Sequence, residues 1–250
     1  MTLPRAFVHR PIAHRGLHDV TAGRAENSTK AFAAAMDGGY GIELDVQLSS
    51  DGHAMVFHDY DLGRLTAEKG PIAQRTAAEL GQIALLHDGD GIPTLAEVLE
   101  QVAGRAPLLI EIKDQDGAMG PKVGPLEEAT ARALANYDGA FAVMSFNPHS
   151  VAAMAELLPD APRGIVTSAY KADDWPTIPT ATRDRLRRIP DFDRTGSTFI
   201  SHEAADLDRT RVAELKDAGA TILCWTIKSA AQEADARRIV HNVTFEQYLA

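Results

Sequence analysis

The chain has a single cysteine, Cys224, so no internal disulfide can form, and a reducing compartment such as the cytoplasm suits it. No run approaches the roughly 18–20 apolar residues that a membrane-spanning helix needs, which argues against stable membrane insertion. The opening residues Thr2 to Arg10 contain no long apolar core of the secretory-signal kind. Positive charge is scarce: the net charge of −10 argues against general affinity for nucleic acid or for an anionic membrane. An anionic ligand would therefore have to be met locally, by a metal or by a few placed Arg and Lys. Low-complexity segments and short internal repeats are absent, and no G-x-G-x-x-G turn follows the first expected strand. At 250 residues and 45% hydrophobic content, the chain can bury one large core or two modest ones.

The densest chemistry lies between Gly41 and Asp59, GIELDVQLSSDGHAMVFHD. Gly41 to Val46 alternates apolar and acidic residues at the period of a β-strand. Side chains two apart share a face, so Glu43 and Asp45 project together while Ile42, Leu44 and Val46 project the other way. Ser50-Asp51-Gly52 signals a turn, because glycine accepts the positive φ of tight turns. The chain returns as Ala54 to Phe57, and the hairpin brings His58 back toward the level of the two carboxylates. Two buried like charges must be offset by a cation or by taking up a proton.

Before this hairpin, Pro11-Ile12-Ala13 reads as a first strand ending in His14-Arg15-Gly16. A helix then begins at Asn27 or Ser28, carries Phe32, Ala35 and Met36 as its apolar stripe, and stops at Gly38-Gly39. Residues 60–92, with a short helix expected over Thr76–Ile83, read as an insertion or lid over the site with too few apolar residues for its own core. Thr94 to Glu97 forms a capping box that opens a helix through Val102. The strand Pro107 to Ile110 ends in Glu111-Ile112-Lys113. Alternation then settles: a helix over Pro125–Asn136, a strand at Ala140–Met144 ending in Ser145-Phe146, and a helix from Pro148 to Leu158. A strand at Gly164–Val166 and a helical patch up to Arg188 follow. The strand Thr198–Ile200 ends in Ser201-His202, and Asp208 is expected to cap a helix through Lys216, closed by Gly219. The strand Thr221–Cys224 ends in Trp225-Thr226, and a last helix and a short strand at Arg238–Thr244 complete the chain. About eight strands separated by helices, with polar groups after nearly every strand, argue for a closed (β/α)₈ TIM barrel forming one domain over residues 1–250. A doubly wound open sheet is the alternative.

In a barrel these strand ends converge. Glu43, Asp45 and Glu111, with no cysteine among them, describe a hard oxygen site suited to Mg²⁺, Ca²⁺ or Mn²⁺. Arg15 and Lys113 would add positive charge for a phosphate. His14 and His58 titrate near neutral pH and arrive from different strands, an acid and a base suited to splitting a phosphodiester. Taken singly each residue has a duller reading: a lone histidine after a strand usually only hydrogen-bonds, a Glu-Ile-Lys run can be a surface ion pair, and Trp225 can be core. What counts is their convergence.

His14-Arg15-Gly16, Glu26-Asn27 before a helix, Ile42 to Val46, Asp51-Gly52 and His58-Asp59 together resemble the glycerophosphodiester phosphodiesterase family. Leu62 to Thr66, Ile92 to Leu95, Glu111 to Lys113, Ser145-Phe146 and Trp225-Thr226 extend the resemblance over most of the chain. It implies a TIM barrel with a small insertion after the second strand, here at about 60–92. It implies metal ligation by Glu43, Asp45 and Glu111, acid and base roles for His14 and His58, and phosphate contacts from Arg15 and Lys113. Glu26 and Asn27 would order the metal end. The implied substrates are small-molecule glycerophosphodiesters, deacylated phospholipids such as glycerophosphocholine or glycerophosphoethanolamine. A neighbouring glycerol hydroxyl would attack phosphorus, and hydrolysis of the cyclic phosphate would yield sn-glycerol 3-phosphate and an alcohol. A lysophospholipase D or sphingomyelinase-D-like enzyme would keep the site but need an exposed apolar groove near the barrel mouth for an acyl chain, a pocket wall that Phe146, Trp225 and Trp175 could supply unless they are ordinary packing. A non-catalytic barrel holding a phosphate ligand is the third reading, and the pair of histidines speaks against it. The final segment, Asn242 to Glu246, lacks the glycine- and aspartate-bearing strand usual in the family, a departure expected to leave the catalytic positions untouched.

Overall fold

The computed structural model describes residues 2–250. A short helix, α1 (Ala6–His9), precedes β1 (Ile12–Ala13), α2 (Thr29–Asp37), β2 (Gly41–Leu48) and β3 (Ala54–Val56). Then come α3 (Ala77–Leu80), α4 (Leu95–Val102), β4 (Leu108–Ile112), α5 (Pro125–Leu134), β5 (Phe141–Ser145), α6 (Pro148–Leu157) and β6 (Arg163–Thr167). The chain ends with α7 (Thr180–Arg187), β7 (Phe199–Glu203), α8 (Thr210–Asp217), β8 (Thr221–Ile227), α9 (Ala230–Ala236) and β9 (Asn242–Phe245). β1 pairs in parallel with both β2 and β9, and this closes a ring in which every strand but β3 takes part. β3 lies outside the ring as the antiparallel return of β2, with Val46 opposite Val56. The architecture is the (β/α)₈ TIM barrel.

Strand periodicity sorts the two faces of the ring. Ile42, Leu44 and Val46 of β2, with Leu108, Ile110 and Ile112 of β4, face outward and pack beneath Phe32, Leu95, Val98 and Leu126 of the surrounding helices. Ile12, Leu109, Ala142, Met144, Val166, Phe199 and Leu223 fill the interior. Leu3 and Phe7 belong to the same cluster, so α1 plugs one end of the barrel. Asn242 holds that plug, because its Nδ2 donates to the Phe7 and Arg10 carbonyls. Gly164 leaves room for the Phe199 ring: a Cβ there would lie 2.5 Å from a ring carbon.

Local signals explain most boundaries. Ser28 caps α2 through its side-chain oxygen, and Thr94 opens α4 with a full capping box closed by Glu97. Elsewhere the structure corrects the sequence-based boundaries. The final strand is β9, not 238–244, because residues through Val240 continue the turn of α9, with Ile239 and Val240 N–H groups bonding back to Ala236. α8 begins after Arg209, without a side-chain cap, since a 3-10 turn at Ala204–Asp206 leads into it and leaves Asp208 ahead of the helix. The short helix of the insertion spans only Ala77–Leu80, because the chain recrosses there: a Cβ on Gly91 would lie 1.9 Å from the Gly81 carbonyl oxygen. Residues 60–92 also contain more core than expected. Leu62, Ile72, Leu80, Leu85 and Ile92 cluster, but around Met55, Phe57 and Ala25, so the core is shared with the barrel's edge.

Phe7 is fully buried, and truncation would leave a cavity at the closed end of the barrel. Phe7→Ala is expected to cost about 3–5 kcal/mol and to lower Tm by on the order of 10 °C in thermal melts. A shift below about 3 °C would mean that α1 does not close the interior.

Candidate active site

β2 sends Glu43 and Asp45 into the barrel, and β4 brings Glu111 alongside as the register partner of Asp45. All three are buried, with 2%, 1% and 7% exposure, and one ligand oxygen from each lies within 4.8 Å of the others. Burial, reinforced by Asp45 and Glu111, pushes the Glu43 carboxyl well above the ordinary range. Burial would raise Asp45 too, but Lys113, His58 and Arg15, together with a hydrogen bond from Asn27, hold it below the usual carboxylate value. Of the two acids on β2, Glu43 is therefore the one whose protonated form the surroundings favour. Lys113 stays charged although burial opposes it, because its Nζ lies 2.7 Å from Glu111 Oε1 and 3.3 Å from Asp45 Oδ1. The donor set is all oxygen and fits a hard divalent cation.

The turn after β1 completes the opposite wall. Arg15 and Asn27 both adopt positive φ, 54° and 57°, which costs about 1–2 kcal/mol for a residue with a side chain. In this conformation the Arg15 backbone N–H donates to Glu43 Oε2 with N···O 2.9 Å, and its Nε lies 3.3 Å from Asp45 Oδ2. Asn27 grips the same acid twice: Nδ2 donates to Asp45 Oδ2 at 2.9 Å, and Oδ1 accepts from the Asp45 N–H at 3.2 Å. Glu26 takes the Arg15 guanidinium at 2.7 Å. All the residues singled out from sequence around the acids are thus brought together.

Each histidine is held at Nδ1 by a carboxylate. His58 Nδ1 lies 2.6 Å from Asp59 Oδ1, and His14 Nδ1 lies 2.7 Å from Glu246 Oε2. An ionised carboxylate can only accept, so Nδ1 carries the proton in both rings and Nε2 is left as the exchangeable nitrogen. Among the described residues neither Nε2 has a hydrogen-bond partner. Burial lowers the His14 pKa below the ordinary imidazole value against the opposing pull of Glu246. Hydrogen bonds from His14 and His18 hold the Glu246 carboxyl low in turn. Asp59 is itself clamped by Arg64, whose Nε donates at 2.6 Å and whose guanidinium also bonds Glu26 at 2.7 and 2.8 Å.

Glu246 corrects the expectation that the unusual C-terminal segment leaves the catalytic positions untouched. Only a carboxylate one residue past the end of β9 signals it, and that signal is hidden when the strand is placed at 238–244. His14, His18 and Glu246 also lie close enough to hold a metal, but Lys228 Nζ sits 2.9 Å from Glu246 Oε1 and already supplies the positive charge. No pattern in the chain marks Ser201 or Thr244 either. Their hydroxyls are buried, have no partner among the described residues, and line the inner cavity.

That cavity, about 120 Å³, is bounded by His14, Arg15, Glu43, His58, Glu111 and Lys113, with Phe146 and Trp225 as apolar walls. A second cavity of about 780 Å³ continues outward, sharing His58, Glu111, Lys113, Phe146 and Trp225 and adding Trp175. The Phe146 ring centroid lies 5.5 Å from Trp225 and 4.9 Å from Trp175. The Trp225 indole N–H donates to the Ser201 carbonyl, which fixes the ring in the wall.

Residues 14–243 match the model of the glycerophosphoryl diester phosphodiesterase family. A glycerophosphodiester phosphodiesterase of Caldanaerobacter subterraneus subsp. tengcongensis is 31% identical over 173 residues, 66% of this chain and 69% of its own. A Bacillus subtilis relative is 28% identical over 228 residues, covering 87% and 86% of the two chains. Among solved structures, an Oleispira antarctica phosphodiesterase in complex with the product sn-glycerol-3-phosphate superposes with a TM-score of 0.78 at 25% identity, over 97% of this chain and 94% of that one. The fold is also that of a Thermotoga maritima glycerophosphodiester phosphodiesterase, with TM-score 0.71, 23% identity and 95% and 94% coverage.

A divalent cation held by the three acids would stabilise the fold by mass action, by about 2.7 kcal/mol at a hundred times its Kd. Tm is therefore expected to rise by roughly 5–10 °C with saturating Mg²⁺, Ca²⁺ or Mn²⁺. In Glu43→Gln, which mimics the protonated acid, the metal-free Tm should barely move while the cation-induced rise disappears. A rise that survives in Glu43→Gln would place the ion elsewhere.

Proposed function

This chain belongs to the glycerophosphoryl diester phosphodiesterase family, and we propose that it hydrolyses glycerophosphodiesters to sn-glycerol 3-phosphate and an alcohol. One observation carries the residue assignment: two imidazoles with Nδ1 tied to carboxylates border one small cavity that also holds the acids, Arg15 and Lys113. Glu43, Asp45 and Glu111 would hold a divalent metal, Mg²⁺ or Ca²⁺ with Mn²⁺ as the further choice. When bound, it would neutralise phosphate charge and polarise the P–O bonds.

The protein's own groups do the rest. Arg15 and Lys113 draw the phosphate oxygens toward the acids, and Glu26 and Asn27 keep Arg15 and Asp45 in place. One histidine removes the proton from the neighbouring glycerol hydroxyl through Nε2 as that oxygen bonds to phosphorus. The other gives its Nε2 proton to the departing alcohol oxygen as the P–O bond breaks. Water then opens the cyclic phosphate with the two roles exchanged. Asp59 and Glu246 fix the tautomer needed at each step and steady the imidazolium that forms. The single buried cysteine supports a cytoplasmic setting, and no helix of the described residues is long and apolar enough to cross a membrane.

A lysolipid is the second reading, because an apolar groove exists beside the site. A cavity of about 760 Å³ runs from Gly16, Glu26 and Glu246 past Val20, Leu86 and Leu249, all three of which are exposed. An acyl chain would fit there, and release of lysophosphatidic acid from lysophosphatidylcholine would support this reading.

His14→Ala and His58→Ala are each expected to lower kcat for glycerol 3-phosphate release by at least roughly 10²-fold. Near-normal turnover in either variant would break the acid–base pair. Glu246→Ala should lower kcat by about 10–100-fold with KM little changed, since its carboxylate acts through His14, and Glu246→Asp should recover part of the loss. An effect on KM alone would assign Glu246 to substrate binding instead.

A further inference from the structure

The outer cavity has a chemical character that the phosphodiester does not require. Its aromatic wall is Phe146, Trp175 and Trp225, with Tyr170 buried behind at 5.2 Å from Trp175. Among the described residues the only lysine or arginine bordering it is Lys113, at the inner end where the phosphate would lie. Most of the bordering acids are already committed. Asp59 is bonded to Arg64, Glu111 to Lys113, Asp114 to Asn147 and the Met119 N–H, and Asp61 to the Gly63 and Gly70 N–H groups. Glu203 and Asp174 are different. Glu203 accepts a single hydrogen bond, from the Ala169 N–H to Oε2, and among the described residues Asp174 has no side-chain hydrogen bond and neither acid has a basic partner.

Resting on the phosphodiesterase reading, we propose that this cavity receives the alcohol half of the substrate and selects an alcohol bearing a positive charge of the quaternary-ammonium type. Aromatic faces present negative potential to a cation, most effectively to one that is large and weakly hydrated. Two uncompensated carboxylates beside three rings reinforce that potential. The cavity begins at His58, one of the two acid–base groups, shares Glu111 and Lys113 with the inner cavity, and extends from there past Trp175, Glu203 and Asp174. An anionic alcohol would face Glu203 and Asp174, with only Lys113 at the inner end to meet it.

The test compares glycerophosphocholine with its 3,3-dimethylbutyl counterpart, which has the same shape and no charge. kcat/KM is expected to favour the choline ester by roughly tenfold, and Trp175→Ala and Glu203→Gln should each bring that ratio toward one. Equal turnover of the two esters by the wild type overturns the proposal and leaves the phosphodiesterase reading standing. A ratio unaltered in both variants also overturns it. Binding separates the two levels further, because the chain's two tryptophans, Trp175 and Trp225, both border this cavity. Choline should quench their fluorescence saturably and 3,3-dimethylbutanol should not, whether or not any ester is hydrolysed. Absence of that difference sinks the cation site, whereas quenching without hydrolysis of any ester keeps it and removes the phosphodiesterase reading.

Discussion

Three carboxylates crowded into the interior of a barrel are the constraint to which the rest of the site answers. Like charges at this separation and depth cannot all ionise unaided. The structure answers in three ways at once: the surroundings of Glu43 favour its protonated form, Arg15 and Lys113 lean against Asp45 and Glu111, and Asn27 bonds both the side chain and the backbone N–H of Asp45. The positive-φ backbone at Arg15 and Asn27 serves the same need, since this turn aims an N–H at Glu43 and an amide at Asp45 together. A divalent cation among the three acids would relieve the same repulsion.

Around that cluster, order spreads outward through salt links. Glu26 joins Arg15 to Arg64, Arg64 joins Glu26 to Asp59, and Asp59 holds His58. The insertion supplies Arg64, so the segment that looks like a lid also sets the pose of a histidine. Its shared core with Met55 and Phe57 makes that possible, because Leu62 beside Arg64 is anchored against the barrel's edge.

How much of this could be read from the chain depended on whether the information was local. The alternation of Gly41 to Val46 specified which side chains entered the barrel, and the capping residues Ser28 and Thr94 fixed the helices that cover it. Glu43 and Asp45 were legible because acids two apart in a run of Ile, Leu and Val must share one face of a strand, and Glu111 because it closes an equally apolar strand. Glu246 was not, since its role depends on β9 ending at Phe245 and lying beside β1, a pairing across the whole chain. Asp208 was misread because a capping residue type says nothing about the 3-10 turn that displaced the helix start. The core of residues 60–92 was underestimated for a similar reason: Ala25, Met55 and Phe57, which complete it, all precede the segment.

The bond between His14 and Glu246 spans 232 residues of sequence. A ribosome adding roughly 5–20 residues per second makes the histidine at least about ten seconds before the carboxylate that orients it. Once residue 111 has been added the chain carries both histidines and all three acids, yet until Glu246 follows one imidazole has nothing to set its tautomer. The last turn of synthesis therefore acts as a clock for chemistry as well as for closure of the barrel.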